Sequence, residues 1–119
     1  MLPPDHRQAH QEFSMALLQV QKTLDASIPD KQAIAENGQE LQQIFQRRIA
    51  SLTADQLDPA LVSRWQSFQT EIHKQMRLLE MDVMFLQASR QSATTSVRYA
   101  SMRSRIKTLL GYCEALLQV

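Results

Sequence analysis

DPALVSRWQSFQTEIHKQMRLLEMDVMFLQASRQ, residues 58–91, reads as one uninterrupted helix. Asp58-Pro59 is its start signal: the Asp side chain caps free backbone N–H groups, and Pro fits a first turn that needs no donor. No Gly or further Pro follows up to Gln91. At about 1.5 Å per residue such a helix approaches 50 Å. A small chain can cover so long an element only with other helices lying alongside it, so the fold class is a helical bundle. Within the stretch Val62, Trp65, Phe68 or Gln69, Ile72, Met76, Leu79, Val83 and Leu86 recur at steps of three and four. A second line, Leu78, Met81 and Phe85, widens the apolar face. A face this wide belongs at the centre of a bundle or at an oligomer contact.

The flanking sequence supplies the other helices. The first is predicted from Pro4 to about Ser27, with Phe13, Leu17, Val20, Leu24 and then Ile28 as its stripe. Pro29 ends that pattern, and Ser27 or Asp30 can cap a second helix running to about Ala50. Ile34, Leu41, Ile44, Phe45 and Ile49 carry its buried face. Asn37-Gly38 interrupts it, since Gly inside a helix costs about 1 kcal/mol relative to Ala. The expectation is a frayed or looped beginning, with firm helix from Gln39. Ser51 to Asp58 is a connector in which Thr53 can cap a short turn. Ser92–Ser96 is a polar connector, and the fourth helix is placed from Thr95 or Ser96 with Tyr99, Met102, Ile106, Leu109, Cys113 and Leu116 inward. Gly111 lies off this stripe, where it could allow a close approach. Short connectors make sequential helices antiparallel neighbours. The expected architecture is one all-α domain over residues 1–119, an antiparallel up-down four-helix bundle with a long third helix.

Composition agrees and narrows the function classes. The chain has 119 residues, with only 2 Gly and 4 Pro, and a net charge of +1. That balance gives no overall pull toward nucleic acid or anionic lipid. No apolar run is long enough to span a bilayer. The N-terminal Met1-Leu2-Pro3-Pro4-Asp5 lacks the basic-then-apolar order of a signal peptide. Cys113 is the single cysteine and sits on an apolar face, where a small buried side chain is the plainer reading than a reactive thiol. A reducing cytoplasm fits these features.

No catalytic constellation is found: no phosphate loop, no paired Cys, no nucleophile beside a base. An enzyme is therefore not expected, and neither is a cofactor. His6 and His10 share a helix face and with Asp5 could touch a metal, but a solvated N-terminal turn is the simpler expectation. His73, with Gln69 and Arg77 four residues to either side, reads as half-buried and hydrogen-bonded within the bundle. A bridged di-metal site would need inward Glu-x-x-His motifs, and none occurs. Trp65 reads as a core anchor whose indole N–H reaches a partner group.

Charge is uneven along the chain. Residues 87–119 hold Arg90, Arg98, Arg103, Arg105 and Lys107 against Glu114 alone, a net +4, which leaves −3 for residues 1–86. An ordinary solvated face, partly neutralised by acids on neighbouring helices, accounts for this. The functional alternative is a basic patch that meets an acidic protein. Specific nucleic-acid binding fits less well, for lack of interleaved aromatics. Met76, Met81 and Met84 fit core packing, and the same residue type recurs at adaptable binding surfaces.

RWQSFQTEIHKQMRLL at residues 64–79, DVMFLQASR at 82–90 and LLGYC at 109–113 together resemble the cyanobacterial heterocyst frequency control (PatD) family. The resemblance spans residues 59–113; the N-terminal half agrees mainly in length and helical character. It implies a non-enzymatic regulator of differentiation and cell division, associated with the tubulin-like division protein FtsZ. It transfers no catalytic or ligand residues. In a source that forms no heterocysts, the division-related role is the part that remains.

The leading expectation is thus an interaction module that binds a protein partner, by resemblance FtsZ, and modulates its assembly. Arg90, Arg98, Arg103 and Arg105 would steer the encounter, and Met81 and Met84 would anchor it. A homodimer or multivalent form would supply the two sites that cross-linking needs. The alternatives are a structural homo-oligomer closed through the third helix and, ranked last, a small-ligand or metal sensor using His6, His10 or His73.

Overall fold

The computed structural model describes residues 1–119. Four α-helices follow in order: α1 (Pro4–Leu24), α2 (Lys31–Ile44), α3 (Pro59–Ala88) and α4 (Ser92–Leu117), with a π-helical turn at Phe45–Ile49 extending α2. Each helix packs its backbone on two neighbours, α1 on α2 and α4, α3 on α2 and α4, and the diagonal α1–α3 pair meets only through side chains, as at His6 and Trp65. The result is a square bundle measuring 50 × 21 × 19 Å. Antiparallel order is fixed at both ends of the α1–α4 pair. Arg7 Nη1 donates to the Leu117 carbonyl at 3.0 Å, and Arg103 Nη2 donates to that of Leu24 at 2.8 Å. No helix is long and apolar enough to cross a membrane.

The starts of α3 and α2 follow the capping chemistry. Asp58 Oδ1 accepts from the Ala60 N–H at 3.0 Å with Pro59 in the first turn, and Asp30 Oδ1 accepts from the Gln32 N–H at 2.9 Å. The ends depart from expectation. α1 stops at Leu24, leaving Ile28 exposed rather than continuing the stripe. α3 stops at Ala88, where Ser89 turns extended and its hydroxyl donates to the Phe85 carbonyl. Gln91 is already extended, so α4 begins at Ser92, with the Thr95 N–H on the Gln91 carbonyl, three or four residues before the predicted start.

α2 also corrects the sequence reading. It is continuous through Asn37-Gly38. Asn37 Nδ2 reaches Thr23 Oγ1 on α1, and Gly38 is buried against Val83 of α3, so packing on both sides outweighs the propensity cost. The irregularity lies at the other end. Leu41, Phe45 and Ile49 are all buried at consecutive steps of four. On a regular helix two such steps drift about 80° around the axis. The wider π turn, closed by the Ala50 N–H on the Phe45 carbonyl at 2.8 Å, absorbs that drift. Gln69 Nε2 then donates to the Ile49 carbonyl at 3.2 Å.

The core is one cluster built from the predicted stripes, including Phe13, Leu17, Ile34, Leu41, Ile72, Met76, Leu86, Met102 and Ile106. Cys113 lies within it, and burial pushes its thiol up to about 11, partly opposed by a hydrogen bond from Ser14. Gly111 is exposed with open space around it, so it serves no close approach.

Candidate protein-binding surface

Three polar or apolar features stand outside the plain core. The first is a buried ionic cluster between α3 and α4. Asp82 is only 2 % exposed, although it sits in register with the apolar stripe between Leu79 and Leu86. Its Oδ2 accepts from Arg105 Nε at 2.5 Å and from the Ser101 hydroxyl at 3.0 Å, and its Oδ1 faces Arg98 Nη1 at 3.4 Å. Two cations and one hydroxyl therefore converge on one carboxylate. A buried carboxylate is tolerated only when paired and hydrogen-bonded in this way. The sequence carried a signal for it: an acid on the stripe, opposite bases seven residues apart on the next helix.

The second feature is a polar cluster at the bundle end formed by the α1 N-terminus, the π turn and the start of α3. His6 and His10 are buried there, His10 completely, which corrects the expectation of a solvated turn. The His6 ring meets Trp65 edge-on with centroids 5.3 Å apart. His6 Nδ1, both ring nitrogens of His10, Trp65 Nε1 and Gln69 Oε1 lack a protein partner, so the indole N–H does not find the partner expected of it. Burial pulls His10 down to about 4, with the neighbouring His6 adding to the effect. Burial lowers His6 as well, against opposing pulls from the Thr53 backbone and Asp5. Nowhere are three His, Cys, Asp or Glu side chains grouped to hold a metal ion. His73 is exposed rather than half-buried. Its Nδ1 lies 2.7 Å from the Gln69 carbonyl, and its ring stands edge-on to Phe45.

The third feature is the solvent side of α3. Met76 belongs to the core, whereas Met81, Met84 and Phe85 are 44 %, 65 % and 46 % exposed. Spaced at i, i+3 and i+4, they form one contiguous apolar patch on a rigid helix. The second apolar line of α3 thus widens a surface and not the core beyond Leu78, which is partly covered. Arg98 lays its guanidinium over the Phe85 ring, 4.6 Å from the centroid. Arg77, one turn before Met81, is exposed and makes no ion pair; the same holds for Arg90 just past the helix. Arg90 and Arg98 line a shallow groove with Phe85, Ser89 and Thr94.

The residues predicted for partner binding are therefore divided. Met81, Met84, Arg90 and Arg98 gather around the exposed end of α3. Arg105 is turned onto Asp82, and Arg103 is paired with Asp25 at 3.3 Å on the opposite flank, where it also donates to the Leu24 carbonyl at the end of α1. Phe85 and Arg77 complete the patch and were not singled out in the sequence, because Phe85 fits a core stripe and Arg77 an ordinary solvated position. No family model, curated protein or solved structure matches the chain.

Proposed function

We propose that this protein is a non-enzymatic cytoplasmic regulator that binds a protein partner and modulates the partner's assembly. The observation that supports it is the patch of Met81, Met84 and Phe85, held open to solvent on a regular helix and flanked by the free cations Arg77 and Arg90. Adaptable Met side chains and an aromatic make anchors at binding surfaces, and unpaired cations around them favour an acidic partner. Arg103 and Arg105 are already engaged within the fold, so charge steering falls to Arg77, Arg90 and the outer edge of Arg98.

The resemblance to the heterocyst frequency control family names FtsZ as that partner, and cell division with heterocyst frequency as the process. The test is light scattering and sedimentation of FtsZ from the same organism, with and without this protein, across a salt series. A dose-dependent change in assembly or co-pelleting that weakens with salt is the expected result. No change at any salt, with the bundle folded, removes FtsZ as the partner.

A further inference from the structure

Gly38 stands inside a regular helix that does not require it. Its φ is negative, and a Cβ built on it would meet Val83 Cγ2 at 3.5 Å, an ordinary contact. Ala would therefore fit, and would favour the helix. What Gly leaves instead is a depression of about 230 Å³ between α2 and α3, with Ala35, Gly38, Leu79 and Val83 forming its apolar wall. That volume is below the usual range for small-molecule sites, roughly 300–1,000 Å³, and is suited to one large side chain. Met84 stands on its edge and joins it directly to the exposed patch of Met81 and Phe85.

We propose that this depression is the anchor pocket of the partner-binding surface, and that its occupant is an amphipathic acidic helix of the partner. The inference rests on the reading of the protein as a partner-binding module. One large apolar side chain of that helix enters over Gly38, and the next turns lie on Met84, Met81 and Phe85. Carboxylates on its flank meet Arg77 and Arg90, which bracket the patch over about 20 Å along α3. Gln39 and Gln42 form the α2 side of the rim and Glu80 the α3 side; with Gln42 Nε2 held on the Met76 carbonyl at 3.2 Å, its Oε1 and the Glu80 carboxylate call for hydrogen-bond donors on the occupant there. Charge complementarity thus sets the sign of the flank that the helix presents.

The test compares wild type with Gly38→Ala, Gly38→Leu and Gly111→Leu, using FtsZ of the same organism as the probe in titrated co-sedimentation, with thermal melts alongside. Gly111 is an exposed helical glycine in open space, so its variant controls for a change of residue without a change of pocket. Gly38→Leu fills the depression and is expected to weaken binding by at least about tenfold, the worth of one buried large side chain. Gly38→Ala is expected to raise the melting temperature by about 4 °C while weakening binding several-fold, which keeps the test decisive should the Leu variant fold poorly. Gly111→Leu binds as wild type. If wild type binds FtsZ and the folded Gly38 variants bind equally well, the pocket assignment is overturned and the partner reading stands. If wild type itself does not bind, the partner reading fails and the pocket loses its occupant.

Discussion

Arg105 and Asp82 meet across the α3–α4 interface through a hydrogen bond of 2.5 Å between Nε and Oδ2, at a position where the stripe pattern calls for an apolar side chain. Asp82 is nearly sealed, while Arg105 and Arg98 keep about a quarter to a third of their side chains in water. Removing the carboxylate leaves two half-buried cations facing each other with no counter-charge between them. Asp82→Ala should destabilise the fold by about 3 kcal/mol, the lower part of the range for breaking a buried pair. Ser101→Ala, which removes one neutral donor, should cost about 1 kcal/mol. Urea unfolding of the two variants gives both numbers, and equal small losses would show that the cluster contributes little.

His10 should make stability depend on pH. Its folded value of about 4 lies below the ordinary 6.5, so the unfolded chain binds more protons between the two. Stability is then complete above about pH 6.5 and falls as pH drops toward 4, by up to about 3 kcal/mol, to which the lowered His6 adds. Urea midpoints measured from pH 7.5 to 4.5 should fall steadily, and His10→Leu should flatten most of that slope. An unchanged slope in the variant would assign the acid sensitivity elsewhere.

The same His10→Leu change should stabilise the protein at neutral pH. Both ring nitrogens are buried without a protein partner, and an unpaired buried polar group costs about 1–3 kcal/mol. A rise of about 1 kcal/mol in unfolding free energy at pH 7.5 is the expected outcome. A loss of stability would mean that the imidazole is satisfied in solution.

Charge reversal should separate the free arginines from the engaged ones. Arg77→Glu with Arg90→Glu should leave the melting temperature near wild type, slow association with the proposed partner FtsZ and reduce its salt dependence. Arg105→Glu should instead place a second carboxylate beside Asp82 and lower the melting temperature sharply. Stopped-flow association over a salt series, paired with thermal melts, reads both. A slower encounter for a folded Arg103→Glu alone would return the steering role to the α4 flank.

Cys113 should behave as a reporter of opening. With its thiol raised to about 11 and fully enclosed, it should be inert to a neutral-pH thiol reagent while the bundle is closed. Labelling in dilute urea should follow the rate of unfolding, and fast labelling in buffer would point to a loose α1–α4 seam.

The fold was legible because each helix announces itself by spacing, and α2 and α3 also by their caps at Asp30 and Asp58-Pro59; α4, with no side-chain cap, was placed three or four residues late. The surface was only partly legible. Met81 and Phe85 have helical spacing and apolar character, which a core face and a binding face share. Their position outside the core is decided by which side of α3 meets α2 and α4, a tertiary fact. Asp82 and His10 were hidden for the opposite reason: a search for apolar stripes passes over polar members, and only the partner helix shows that they are inside. Gly38 was read as a local weakness because propensity sees its own helix and not Val83 across the groove.

The π turn at Phe45–Ile49 bears on how the chain tolerates length change. It holds one residue more than a regular helix needs to travel the same distance. Deleting Gln46, exposed within it, would let α2 run on as an ordinary helix with its ends nearly where they are now. Everything before the deletion would keep its place. The 52–57 connector would keep nearly the same span, while Gln69 would lose the buried Ile49 carbonyl to which it now donates. The bundle therefore contains a position where losing a residue is a smaller injury than it would be on any of its other three helices.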